Sequence, residues 1–231
     1  MRKPVLVTGA NGFIGQHLVR GLVDAGYPVR AFVRRSDSGN FPEGVRICKG
    51  DVRFANTLEK AVSGCGAVFH LAARMGGKDI EDYREVNVHG SALVAEAVAK
   101  HGDEGRLVFM SSISAMGPRA GQTEGPRVES DMNPALKPYG ISKWEAEQKL
   151  REVCARHAVG LDILRPGLVF GPEDPGWMPA LINDVAEGRI HRMGSGQNRL
   201  GLVYVDHLVA ECVALLQHTP SSDVFISVDP N

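Results

Sequence analysis

The sequence predicts an α/β fold, a doubly wound parallel sheet followed by a small C-terminal lobe. Three observations point to it. Short β-branched runs alternate with longer amphipathic stretches, the first run passes straight into a glycine-rich turn, and the alternation loosens after Pro166. Runs 5–7, 29–33, 45–47, 67–71 and 106–110 are apolar enough to be strands buried on both faces, and 161–164 makes a sixth. Between them, 12–25, 56–63, 83–101 and 139–157 carry helical patterns. In the last of these Trp144, Glu147, Leu150 and Val153 repeat in helical register, with Cys154 beside them. Strands that alternate with helices require right-handed crossovers, which produce a parallel sheet.

Beyond Pro166, residues 171–176 form a turn-rich loop and 179–187 a helix. A strand over 202–205, a helix over 206–217 and a strand over 224–226 follow. The expected division is a nucleotide-binding domain over 1–166 and substrate-lobe elements over 167–231, some of which can rejoin the main sheet. There is no internal repeat or low-complexity tract.

Composition narrows the function classes. Lys plus Arg number 26 against 27 for Asp plus Glu, so no global charge draws the chain to nucleic acid or an anionic membrane. The apolar run after Met1 is too short for a signal peptide, and no segment approaches a membrane span. Cys48, Cys65, Cys154 and Cys212 are scattered without metal-like spacing, which suits reduced thiols. The expectation is a cytoplasmic protein with no metal, taking a small-molecule substrate.

The first strand feeds into Thr8-Gly9-Ala10-Asn11-Gly12-Phe13-Ile14-Gly15, the fingerprint of a Rossmann-type dinucleotide site. Gly9 permits the tight turn, Gly12 lets backbone approach a pyrophosphate, and Gly15 lets helix pack on strand. Asn11, Phe13 and Ile14 complete the turn against the phosphates, where N–H groups at the helix start are free to bind an anion. The second strand ends in Arg34 and Arg35, where an NAD site usually carries a carboxylate. Two guanidinium groups suit a 2′-phosphate, so the cofactor leans to NADP, with NAD and simple solvation of both arginines as the alternatives. Asp37 lies nearby in the 36–40 loop. Asp51 is placed to accept from an adenine amino group and Val52 to pack on the ring, or Asp51 is a helix cap or turn residue. Leu71, Ala72 and Ala73 end the fourth strand, where small side chains let a cofactor lie close; His70, alone, reads as a packed histidine.

Tyr139 and Lys143 are four apart and so share a helix face. An ammonium beside a phenol, ordinarily of pKa about 10, favours the phenolate and brings it nearer to working pH. Ser112 ends the fifth strand, the edge where open α/β sheets bind ligands. Its hydroxyl can hold a substrate oxygen while Tyr139 exchanges the proton.

With these pieces assembled, the chain resembles an extended short-chain dehydrogenase/reductase of the NAD(P)-dependent epimerase/dehydratase group. The resemblance rests on residues 8–15, Gly50-Asp51-Val52, residues 70–73, Asn87-Val88-His89-Gly90, Ser111-Ser112, residues 139–143, Arg165-Pro166, residues 169–172 and residues 203–206. It implies Tyr139 as proton donor and acceptor, Lys143 as its electrostatic partner and ribose ligand, and Ser112 as the substrate-oxygen clamp. It further implies that Asn87 contacts the cofactor or orders its loop, and that Leu164 and Pro166 border the nicotinamide. Residues 70–74, 139–148 and 198–206 are similar to bacterial nucleotide-sugar 4-epimerases and 4-keto-reductases, in which an arginine matching Arg199 binds the sugar nucleotide's diphosphate; a surface arginine capping a turn is the plainer alternative. A homodimer through the helices over 83–101 and 139–157 is implied by the same analogy.

Departures from the family pattern refine this. Dehydratases carry an acidic pair after the catalytic hydroxyl residue, whereas this chain has Ile113-Ser114, which disfavours water loss. Many sugar epimerases have a tyrosine where Met116 stands. Extended members continue past the strand over 224–227, so the substrate lobe is expected to be truncated. The expected activity is NAD(P)-dependent redox chemistry at a secondary alcohol or ketone, foremost of a nucleotide-diphosphate sugar. The alternatives are a 4-epimerase with tightly bound NAD, a hydroxysteroid or small hydroxy-acid dehydrogenase, and a non-catalytic NADP sensor or scaffold.

Overall fold

The computed structural model describes residues 2–35, 40–119, 125–189 and 200–230. Strands β1 (Val5–Thr8), β2 (Val29–Val33), β3 (Arg46–Lys49), β4 (Ala67–His70), β5 (Arg106–Met110) and β6 (Gly160–Pro166) follow the predicted order. The helices are α1 (Phe13–Asp24), α2 (Ala55–Val62), α3 (Ile80–Arg84), α4 (Ser91–His101) and α5 (Pro138–His157). After β6 come β7 (Leu168–Phe170), α6 (Trp177–Ala186), β8 (Leu202–Tyr204), α7 (Val205–Leu215) and β9 (Val224–Ser227).

The main sheet runs β3-β2-β1-β4-β5-β6-β9 with every pairing parallel. Chain order reverses between β1 and β4, and ligands of such sheets bind at the carboxyl ends of the strands beside that switch. Period-two alternation splits the core into two layers. Leu6, Phe32, Val68 and Leu107 face Leu58, Val94 and Leu150 of α2, α4 and α5. Val5, Val7, Phe69 and Val108 face Leu18, Leu22 and Leu208 of α1 and α7. Each of these fully buried leucines contributes about 1.5–3 kcal/mol of transfer energy.

The C-terminal elements attach to this sheet in two ways. β9 pairs with β6 and α7 packs beside α1, so both extend the nucleotide-binding layers. β7 and β8 form a separate two-stranded ribbon, and α6 has no buried residue. A buried ion pair locks the last strand in place. Arg106 Nη2 lies 3.2 Å from Asp162 Oδ2, while Asp162 Oδ1 accepts from Ser221 N, Ser221 Oγ and Ser222 N at 3.0–3.2 Å.

One predicted helix is interrupted. The 83–101 stretch is α3 and α4 joined by a π-helical segment, Glu85–Gly90, with the first turn capped by Asp79, which accepts from Asp82 N. The wider turn drives Asn87 into the interior, where it is 1% exposed. A short 3-10 turn, Ile113–Met116, and strand β7 had no signal in the pattern.

Candidate active site

The glycine turn after β1 is shaped by what a side chain would strike. Gly9 sits at φ +67°, and a Cβ there would lie 2.8 Å from Ala72 N at the end of β4. On Gly15 it would lie 2.2 Å from Gly9 O, and on Gly12 3.2 Å from the same oxygen. α1 then opens at Gly12 with no side-chain cap and no acidic residue in its first turn. An uncapped helix start approached by bare backbone fits a pyrophosphate. Asn11 and Gly12 are exposed, Phe13 and Ile14 half-buried.

Arg34 and Arg35 are both exposed beyond β2. Gly50 N donates to Val33 O at 2.9 Å, which brings the next loop beside them. There Asp51 is already engaged. Its carboxylate accepts from Arg53 N (3.0 Å), Nε (3.1 Å) and Nη2 (2.8 Å), so Arg53, with Arg34 adding to the field, holds it below the usual range. Asp51 thus already serves as a turn residue gripped by its neighbour, and the cap position of α2 belongs to Phe54. Val52 is buried in the core instead of standing free for a ring.

Leu71, Ala72 and Ala73 lie half-buried at the carboxyl edge next to the glycine turn. Thr8 and His70 hold this edge. Ser91 Oγ donates to Asn87 O (2.6 Å), so it must accept from His70 Nε2 (2.8 Å). His70 Nδ1 then accepts from Thr8 Oγ1 (2.7 Å), which itself accepts from Ala72 N (3.2 Å). This directional chain requires a neutral imidazole, and burial, aided by Lys143, pushes His70 down to about 3. Asn87 orders the following residues: its Oδ1 accepts from Arg74 N (2.7 Å), and its Nδ2 donates to Arg74 O (3.2 Å) and Ser142 Oγ (2.9 Å).

Ser112, Tyr139 and Lys143 come together where β5 meets α5. Ser112 caps the 3-10 turn, accepting from Ser114 N at 3.1 Å, and its hydroxyl lies close enough to Tyr139 to act on the phenol. Burial pushes the Tyr139 phenol up to about 12, with Ser112 acting the other way. Lys143, 2% exposed, donates to Met110 O (2.6 Å) and lies 4.5 Å from the Phe109 ring centre. Burial pulls its ammonium down to about 7, opposed by Glu147. The expectation that Lys143 brings the phenol toward neutrality is thus outweighed by desolvation of both groups. Leu164 and Pro166 are buried along β6, and Leu164 O accepts from Ser111 N at 2.7 Å. Arg199 and Asp37 lie outside the described residues.

Sequence reasoning missed the pair behind this group. Glu147, fully buried, accepts from Ser111 Oγ (2.5 Å), Arg165 Nε (3.0 Å) and Arg165 Nη2 (2.6 Å). A carboxylate occupying an apolar register position was the signal.

A model of the NAD dependent epimerase/dehydratase family matches residues 5–226. The chain belongs to that family. Among epimerase/dehydratase relatives, a 2-alkyl-3-oxoalkanoate reductase of Stenotrophomonas maltophilia is 35% identical over 213 residues, covering 88% of this chain and 62% of the relative. A UDP-glucose 4-epimerase of Vibrio cholerae is 32% identical over 239 residues, covering 99% and 71%. The crystal structure of the Thermus thermophilus UDP-glucose 4-epimerase complex with NAD superposes with a TM-score of 0.79 at 26% identity, over 97% of this chain and 77% of that one. The chain therefore spans about two thirds of its relatives' length. Among the described residues no helix is long and apolar enough to cross a membrane.

Proposed function

We propose that this epimerase/dehydratase member is an NAD(P)-dependent oxidoreductase acting on a secondary alcohol or ketone, foremost of a nucleotide-diphosphate sugar. The observation that carries the reading is the convergence of Tyr139, at the start of α5, and Ser112, at the carboxyl edge of the sheet, with Lys143 buried one helical turn behind Tyr139. A bound nicotinamide would supply or accept the hydride. Tyr139, kept protonated by burial, gives its proton to the carbonyl oxygen as that oxygen gains charge. Ser112 donates to the same oxygen, and the Lys143 ammonium opposes the negative charge left on the phenolate. The glycine turn and the α1 start hold the pyrophosphate, Arg34 and Arg35 favour a 2′-phosphate, and Asn87 keeps residues 71–74 in line along the cofactor.

Incubation with NADPH and a panel of 4-keto nucleotide sugars should oxidise the cofactor, and Tyr139→Phe should lower kcat by about 10²–10⁴. Full activity in that variant would overturn the assignment. Sugar inversion without net cofactor consumption would instead point to a 4-epimerase, as in the Vibrio relative. The Stenotrophomonas reductase favours a second substrate class, a 3-oxo acid, which the same assay tests with a 2-alkyl-3-oxoalkanoate in place of the sugar. Association into a homodimer through the 83–101 and 139–157 stretches fits the outward faces of the Glu85–Gly90 segment and α5, where Trp144 is 43% exposed beside Val88 and His89. Light scattering that finds only monomer at micromolar concentration would reject it.

A further inference from the structure

One face of α5 meets one end of β5 through three successive contacts. Tyr139, Lys143 and Glu147 are each four residues apart, and they engage Ser112, Met110 and Ser111 in turn. The first two belong to the reading above, on which the following rests; the third has no part in it. Glu147 is completely buried, with no surface for a substrate to touch. Three hydrogen bonds from Ser111 and Arg165 immobilise its carboxylate, and Arg165 is anchored in turn by donating Nη1 to Glu129 O at 2.8 Å.

A buried ammonium needs compensation, and carbonyl contact alone gives little. The groups around Lys143 are few. β4 contributes neutral His70, and β5 contributes Met110 O and the Phe109 ring. β6 contributes Arg165, bonded to the Glu147 carboxylate, and α5 itself contributes Glu147, with Tyr139 one turn away. Within this set Glu147 is the one negative charge. We propose that Glu147 is a positioning residue that keeps the positive charge on Lys143 inside the site, while its bond to Ser111 sets the end of β5 that carries Ser112. Burial and Glu147 act on Lys143 in opposite directions, which is the balance this role requires.

The test is a pH titration of the Lys143 Nζ resonance in ¹⁵N-labelled protein, assigned with Lys143→Met and read in wild type, Glu147→Gln and the double variant Glu147→Gln/Arg165→Met. The double variant removes both charges together, so it leaves no uncompensated guanidinium and guards against a single variant that fails to fold. The Lys143 midpoint is expected to fall by about one pH unit or more in Glu147→Gln, the size of effect of a nearby opposite charge, and by less in the double variant, which also removes the repelling guanidinium. The alkaline limb of turnover should move to lower pH by the same amount. An unmoved midpoint in a folded variant would overturn the proposal, as would a uniform loss of activity with an unmoved limb. Absence of turnover in wild type would refute the proposed function while the titration still decides the role of Glu147.

Discussion

Two alanine substitutions in the glycine turn separate folding from cofactor binding. On Gly15 a Cβ would stand 2.2 Å from Gly9 O and 2.9 Å from Ala10 Cα, where ordinary contact begins at 3.4 Å. Both obstacles are backbone, so no rotamer change relieves the overlap, and α1 must move off β1. Overpacking of this kind costs up to about 3 kcal/mol. For a chain of this size that corresponds to a fall in Tm of about 6–12 °C. On Gly12 the nearest atom is Gly9 O at 3.2 Å, and the residue is exposed. Gly12→Ala should therefore cost less than about 1 kcal/mol of stability. The added methyl points into the space where backbone must approach the pyrophosphate, and binding should weaken by about tenfold or more, about 1.4 kcal/mol. Differential scanning calorimetry and NADPH fluorescence titration read the two quantities separately. If Gly15→Ala melts with wild type, or Gly12→Ala binds cofactor with unchanged Kd, the steric account of this turn is wrong.

Further consequences concern the second strand, the last strand and the buried histidine. Arg34→Ala/Arg35→Ala should weaken NADPH by about tenfold or more and leave NADH unaffected, since only the former carries the 2′-phosphate; equal losses for both cofactors in titration calorimetry would reject the NADP preference. Asp162→Ala strands the Arg106 guanidinium and three donors of Ser221 and Ser222, and urea unfolding should register about 3–5 kcal/mol. His70 is held near 3 in the folded state against an ordinary imidazole value of 6.5, so the unfolded chain binds the extra proton first as pH falls. Stability is then present above about pH 6.5 and is lost as pH drops toward 3. The Tm of wild type should decline from pH 7 to pH 5 more steeply than that of His70→Asn; parallel slopes would show that His70 is not the titrating group.

Much of this was legible in the chain because the relevant signals are local. The glycine turn follows an apolar run directly, and Tyr139 and Lys143 are one helical turn apart, so spacing alone puts each on a common surface. What stayed hidden depends on partners distant in sequence. The π segment arises where Asn87 bonds to Arg74 and Ser142, 13 and 55 residues away. Glu147 looked like one step of a helical register, and its partner Arg165 is brought to it only when β6 lies beside β5. Asp51 was legible as a turn residue, but that Arg53, two residues on, folds back onto its carboxylate was not.

The sequence by itself determined the fold class and singled out the glycine turn, Ser112, Tyr139 and Lys143 as candidates, because periodicity and short spacing encode which residues share a strand end or a helix face. Tertiary structure alone decided the protonation of those groups. Burial raises the Tyr139 phenol, lowers the Lys143 ammonium and leaves His70 neutral, and the desolvation responsible is set by what packs around each side chain. It also decided that β9 closes the sheet against β6 while β7 and β8 stand apart, since parallel pairing joins strands whose order in space no local pattern records.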